Sequence, residues 1–400
     1  MGGQNFHQEY GYGRINAYQA LLLTHAYSNK SMSSTATASN NSRRMVRTSD
    51  GTYHLVFESG VTSGVNTLSE IFYRNSTDLV NWSTPVRLSA GNEQNRYPSI
   101  AERLDGANKK LYVIWQRKTG TNTYDILFRH YNGSAWETIR TVTGGISSSN
   151  DSLPVIAIGT PSAGFEMMAA YRTGGGIKSK RTTSTNGSNW SSISEKVVTN
   201  NTSARNPSLV YWVDDVPNLK FHVSWDEGSN VWHQTFNSTT NTWGTATNIS
   251  AGTMASNHQY SSYAVAGNND RHVVWQALES EAYLKQVIYH NKNLSNLYTV
   301  LASSQWDHLR PSVIGHAGAV ATVVCHDNSS NKNIRKRRYD GTNWEGGVSG
   351  SIIASNGIDA SISIANPPGA VAEAVWRSTG SSPYALTVGP SGGLNKGTGA

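Results

Sequence analysis

Tyr112-Val113-Ile114-Trp115 is a short apolar run that ends in an aromatic and passes into polar Gln116-Arg117. His54-Leu55-Val56-Phe57 comes before it. Met168-Ala169-Ala170-Tyr171, His222-Val223-Ser224-Trp225, His272-Val273-Val274-Trp275, Thr322-Val323-Val324-Cys325 and Glu373-Ala374-Val375-Trp376 follow. The spacing is roughly 50 residues, and a repeat of that period built from short strands marks radially stacked small sheets. The flanks of the run repeat too. Arg96-Tyr97-Pro98-Ser99-Ile100-Ala101 reads as a first strand entered through proline, residues 111–115 as a second, 125–131 as a third and 137–143 as a fourth. First strands begin near residues 43, 96, 152, 205, 259, 310 and 360. The predicted fold is all-β: a seven-bladed β-propeller of four-stranded antiparallel blades over residues 32–394, with a short helix before it and a Gly-rich tail at 395–400. The seventh repeat lacks a fourth strand, and residues 32–38 are expected to supply it and close the ring, removing an exposed edge.

Composition agrees with a turn-rich β protein. Only 15% of the 400 residues are charged, and the balance of 33 basic to 26 acidic gives a net charge of +7. Such a surface favours acidic glycans or other polyanions. The single cysteine, Cys325, excludes an internal disulfide and falls in the aromatic column, where it reads as a small buried hydrophobe. No stretch approaches the ~18–20 apolar residues of a membrane span. No His or Cys spacing suggests a metal site, and no cofactor motif is present. The strands Lys178-Ser179-Lys180-Arg181 and Arg335-Lys336-Arg337-Arg338 read as solvated faces rather than as a specific nucleic-acid site.

The turns between third and fourth strands carry a second column. Asp78 precedes Trp82, Asn132 precedes Trp136, Asn186 precedes Trp190, Asn237 precedes Trp243, and Asp340 precedes Trp344; Leu297 takes the Trp place in the fifth repeat. These turns resemble degenerate Asp-boxes (BNR repeats) of sialidase-like propellers, where the polar side chain caps turn donors and the Trp packs beneath. The resemblance implies a structural role for them and implies no catalysis.

Residues 11–27, GYGRINAYQALLLTHAY, place Ile15, Tyr18 and Leu22 at helical spacing. GYGRINAYQAL resembles the closing helix of subtilisin-like serine proteases. It implies that residues 1–31 are the remnant of a secreted subtilase domain, and that the propeller is extracellular or at a cell surface, exported within a larger precursor. Gly252-Thr253-Met254-Ala255 is similar to the protease serine motif but lacks the serine, so no protease triad is expected in this chain.

Function in a propeller sits on the loops at one mouth of the channel. Arg96, Arg205 and Arg310 stand at first-strand entrances, with His258 and His308 near the same level. The loops after second strands add Glu58, Gln116, Arg117, Arg172, Asp226, Glu227, His326, Asp327 and Arg377. Three guanidinium groups around a mouth suit a carboxylate, as in sialidases. The sialidase nucleophile and acid cannot be placed on residues of this chain, and no residue is assigned as catalytic. The leading expectation is a non-catalytic module that binds a glycan or a cell-surface protein. A sialidase-type hydrolase or a polysaccharide lyase acting on an acidic sugar is the enzyme alternative. A structural subunit assembling through blade edges is the third.

Overall fold

The computed structural model describes residues 30–390, except for short segments at 40, 64–65, 92, 106–107, 160–163, 216–217, 254, 281, 283–284, 363–372 and 383. Seven antiparallel sheets follow one another along the chain and form a propeller. The second blade shows the plan, with strands Gln94–Asp105, Asn108–Gly120, Thr123–Tyr131 and Arg140–Ser147 paired in that order. First strands line the channel; fourth strands form the rim. Blade four differs slightly, because Thr242–Trp243 and Thr247–Asn248 both pair with Asn230–Asn237. The helix expected over residues 11–27, and with it the subtilase-like segment, lies outside the described residues.

The second strands are continuously apolar because both of their faces are buried. Tyr112 and Ile114 pack against Met167, Ala169 and Tyr171 of blade three. Trp115, one position on, turns to Val56 and Ile71 of blade one. Trp225 likewise meets Val155 and Met168 of blade three, and Trp275 meets Val210 and Val231 of blade four. Cys325 occupies the same place, fully buried among Ala264 and Val274, and burial raises its thiol pKa. Each column residue is therefore a wedge driven toward the blade before it.

The Asp-box-like turns behave as their sequence implies. Asp78 Oδ1 accepts from the N–H of Val80 and Asn81 at 2.9 and 2.7 Å. Asn132 takes Ser134 and Ala135, Asn237 takes Thr239 and Thr240, and Asp340 takes Thr342 and Asn343. Gly187 has φ +67, and a Cβ there would run into the Trp190 indole. The turn Trp residues also reach the preceding blade. Trp136 meets Tyr73 edge-on at 5.0 Å, and Trp243 Nε1 donates to Ser179 at 3.0 Å.

Ring closure departs from expectation by a few residues. Lys30–Ser31, not 32–38, pairs with Tyr384 and Ala385 as the outer strand of blade seven. Residues 34–37 form turns instead. The hydroxyl-rich segment is drawn to Glu58: Ser33 Oγ donates to its carboxylate at 2.8 Å, Thr35 Oγ1 donates to the same oxygen, and Ser31 Oγ donates to its carbonyl at 2.6 Å.

The basic third strands are solvated on one face only, where Lys178, Arg181, Lys336 and Arg338 are partly exposed. Lys180, Arg335 and Arg337 are buried. Lys180 Nζ donates to the carbonyls of Val142 in blade two and Trp190 in its own blade. Arg337 donates to Val300 in blade five and to Trp344, Glu345 and Gly346 of its own turn. Arg129 does the same for Leu88, and Asn291 for Ile249. Carbonyls left open where a rim strand breaks off would otherwise be buried without donors.

Arg337→Met is therefore expected to lower the free energy of unfolding by about 2–3 kcal/mol, since it orphans the buried Val300 carbonyl and removes three part-buried hydrogen bonds as well. Arg338→Ala, which removes an exposed pair with Glu345, is expected to cost under about 1 kcal/mol. Urea titration of both variants measures the contrast.

Candidate functional site

The mouth is built from the entrances of first strands. Tyr97, Leu153, Asn206, Tyr260, Arg310 and Asp359 all have positive φ, between 46° and 58°. A non-glycine residue there costs on the order of 1–3 kcal/mol. The conformation produces a bulge, seen as a register shift between first and second strands in blades two, four, five, six and seven. It also swings the residue's N–H out of its own sheet, and for five of the six a side chain of the preceding blade receives it. Tyr97 N donates to Glu58 Oε2 at 3.0 Å, Leu153 N to Gln116 Oε1 at 3.2 Å, Tyr260 N to Asp226 Oδ2 at 2.7 Å and Arg310 N to Gln276 Oε1 at 2.8 Å. Asp359 N faces His326 Nδ1 at 3.4 Å.

A serine ladder runs just below. Ser208, Ser262, Ser312 and Ser361 accept at Oγ from the N–H of Tyr263, Val313, Ile362 and Arg44 in the next blade, at 3.0, 3.3, 3.3 and 3.1 Å. In blade one Arg43 takes the serine's place, and its carbonyl receives Ile100 N at 3.0 Å.

These clips use several residues that the sequence placed at the mouth. Glu58, Gln116, Asp226 and His326 are buried acceptors between blades. Burial pushes the Asp226 carboxyl up to about 6, against three donors that favour its anion, Asn206 Nδ2 and the N–H groups of Tyr260 and Ser261. His258 is buried and accepts from Trp275 Nε1 at 2.9 Å. His308 is buried near Arg335, with its pKa lowered to about 4 by burial and then by that charge. Asp327 is fully buried and bound by Arg335, Ser329 and Asn333. Arg117 pairs with Glu93 and Asp125, Glu227 accepts from Trp225, Thr199 and Asn201, and Arg377 lies over the Tyr384 ring.

Three of the named arginines do converge. Arg172, Arg205 and Arg310, from blades three, four and six, line one cleft of about 240 Å³. Burial, and then the charge of Arg205, lowers the pKa of Arg172, so the two guanidinium groups feel each other. Arg205 is exposed and makes no ion pair among the described residues. Arg310 pairs with Asp359 Oδ1 at 2.5 Å and lies over the Tyr260 ring. Arg96 stands at the edge, over the Tyr97 ring, donating to Thr35 Oγ1 at 3.1 Å.

The rest of the cleft was not foreseen. Tyr97 and Tyr260 present rings to it, Asn206 and Asp151 add polar groups, and Thr35, Ala38 and Ser39 close one side. Asp151 accepts from Tyr97 Oη at 3.1 Å and Gln116 Nε2 at 2.6 Å. Burial and the neighbouring Asp151 raise the Tyr97 pKa. The sequence does carry a signal for Tyr97, Asn206 and Tyr260: each immediately precedes the Pro-Ser or Ser-Ser pair that opens a first strand. Among the described residues no group of His, Cys, Asp and Glu could hold a metal ion.

No protein-family model matches the chain, and no curated protein matches it in sequence. Among solved structures it is similar to the α-L-arabinanase of Penicillium chrysogenum in complex with arabinobiose, with TM-score 0.50 and 13% identity over 91% of this chain and 97% of that one. It is also similar to the fucose-binding lectin of Aleuria aurantia, with TM-score 0.46 and 12% identity over 80% and 97%. A Hadza microbial sialidase, Hz136, gives TM-score 0.44 and 10% identity over 87% of this chain and 65% of that one. At such identity the first likeness bears on the fold alone, and the other two, at lower TM-scores, carry no argument.

The buried histidines set a pH limit. Burial lowers the pKa of His54, His272, His308, His316 and His326 to about 4, and lowers His130, His258 and His290 as well. Such a group is neutral in the fold and takes a proton on unfolding. Its contribution is complete above its ordinary value of 6.5 and is lost as pH falls through the folded value. Glu58, Glu70, Glu102 and Asp226, raised by burial, act in the opposite sense but are fewer. The melting temperature is expected to fall by several degrees between pH 7.5 and pH 5 in calorimetric scans; a higher value at pH 5 would contradict the assignment.

Proposed function

We propose that the protein is an extracellular glycan-binding propeller that takes an acidic sugar at the arginine cleft without transforming it. One observation carries the reading: guanidinium groups from three blades converge beside two tyrosine rings. A guanidinium fork suits a sugar carboxylate. The rings offer an apolar platform for a pyranose face, with hydroxyl and amide groups beside them. Arg205, exposed and without an ion pair, is the natural first contact. Export is proposed with it, on the neutral-polar composition and on the subtilase resemblance of residues 11–27.

Turnover needs a poised acid, base or nucleophile in the cleft. Tyr97 is the tyrosine nearest that role, but a raised pKa disfavours the phenolate a nucleophile requires. Asp151 is engaged by two donors, and the buried histidines lie outside the cleft lining.

The test is a glycan array followed by calorimetry with sialylated, uronate-containing and neutral fucosylated oligosaccharides, each also assayed for sugar release. Binding of an acidic glycan, weakened roughly 10- to 100-fold by Arg205→Ala as a charge-assisted hydrogen bond is lost, and weakened further by salt, is the expected result. Equal binding of neutral sugars, or indifference to Arg205→Ala, would overturn it. Sugar release would establish the hydrolase or lyase alternative. No binding to any glycan would leave the protein-partner or assembly readings.

A further inference from the structure

The channel is interrupted. Asn41, Ser42 and Arg43 sit in it among Ser99, Ser208 and Ser312, and Asn41 Nδ2 donates to the Pro207 carbonyl of blade four at 2.7 Å. The chain that leads into blade one therefore crosses the bore and separates the arginine cleft from what lies beyond.

Beyond it is a second cavity of about 320 Å³. Its lining residues come from deeper in the first strands. Ile100 to Glu102 stand three to five positions past Tyr97, or roughly 10–17 Å along an extended strand. Most of the wall is aliphatic, with Ile156, Leu209 and Val265 from three blades. Four polar groups break it: Arg43, Glu102, the phenol of Tyr211 and the indole of Trp212. Among the described residues neither Arg43 nor Glu102 has an ion-pair or hydrogen-bond partner for its side chain, although both line the same space. The Trp212 N–H is buried and also lacks an acceptor.

Arg43 is half-buried, and an unpaired guanidinium on a largely apolar wall is stabilised by an anion that meets it. Burial lowers the Arg43 pKa to about 10. Glu102 does not supply the anion. It stands apart from Arg43, and burial pushes its carboxyl up to about 7, so near neutrality a large fraction is protonated and able to donate a hydrogen bond. The volume is within the range of small-molecule pockets.

We propose that this inner end of the channel is a second binding site, for a small amphipathic carboxylate whose anionic group pairs with Arg43 and whose apolar body lies along Ile156, Leu209 and Val265. The Trp212 N–H and the Glu102 carboxyl are further partners for the ligand's oxygens. A carboxylate with an apolar body fits better than a sugar because most of the lining side chains are aliphatic. It fits better than an organic cation because the one permanent charge on the wall is positive. The site is independent of the glycan cleft, from which Asn41 to Arg43 divide it.

The full chain is titrated with hexanoate, and with hexylamine as the control of equal length and opposite charge, by calorimetry and thermal shift. Saturable hexanoate binding with a raised melting temperature is expected, without binding of hexylamine. Arg43→Met should weaken hexanoate roughly tenfold or more, as loss of a charge-assisted hydrogen bond requires, and Arg43→Lys should restore part of it. Ala101→Leu, which fills the cavity and leaves the guanidinium in place, should weaken it too; this variant serves where Arg43→Met fails to fold. Arg205→Ala should leave hexanoate binding unchanged, so that failure of the glycan reading and failure of this one are distinguishable. Absence of saturable binding, equal binding of hexylamine, or full affinity in both the Arg43→Met and Ala101→Leu variants would overturn the proposal.

Discussion

At the entrance of a first strand, one backbone N–H points away from its own sheet and into an acceptor side chain of the sheet before it. The seven-bladed arrangement rests on this contact. A four-stranded sheet satisfies its own ladder but offers its neighbour little beyond apolar area, and apolar contact alone sets no fixed angle between sheets. In five blades the left-handed residue resolves this by exporting one donor to the blade before, as Tyr97 does to Glu58 and Tyr260 does to Asp226. The serine ladder below exports another. At the rim Lys180 and Arg337 perform the reverse operation, sending donors into carbonyls of the blade before. Neighbouring sheets are thus pinned near the axis and at the circumference, with the aromatic column between the two.

The same contact explains why the mouth can hold a site. Residues kept at positive φ by a clip behind them have their side chains set by the frame rather than by loop motion. Tyr97, Tyr260 and Arg310 are such residues and line the cleft beside Asn206, which is also at positive φ and is held by its side-chain amide on Asp226. The backbone strain at each is offset by an inter-blade or intra-blade hydrogen bond, so the scaffold and the candidate binding surface share residues. The acidic and amide side chains Glu58, Gln116, Asp226 and Gln276 serve the frame, which leaves the arginines and tyrosines to face outward.

Much of this was legible in the chain, and the parts that were not have physical reasons. The column from Phe57 to Trp376 was readable because a strand buried on both faces has to be apolar throughout. The turn from Asp78 to Trp82 was readable because its capping is local. Glu58 and Asp226 were misplaced at the mouth because a buried carboxylate and an exposed one look alike until the partner N–H, a blade away, is known. Lys180 and Arg337 read as solvated because strand periphery usually is; the open carbonyls they cover belong to rim strands whose breaks no pattern announces. Tyr97 and Tyr260 were missed as cleft residues because their direction depends on a bulge. The convergence of Arg172, Arg205 and Arg310 needed the ring itself.

Closure through Lys30–Ser31 has a consequence for the order in which the molecule assembles. Each blade up to the sixth is made of consecutive chain and can form as a local unit, so its strand pairings stay within one repeat. The seventh cannot. Its rim joins Lys30 and Ser31 to Ala385 and Tyr384, residues from opposite ends of the propeller, and the loop closed by that pairing spans nearly the whole ring. During synthesis the first blade emerges early, with Asn41 to Arg43 in place to cross a bore that does not yet exist. Until the last blade arrives, that segment and the open side of blade one have no wall opposite them. The final pairing is small in area, yet it is the event that turns a curved row of sheets into a closed ring.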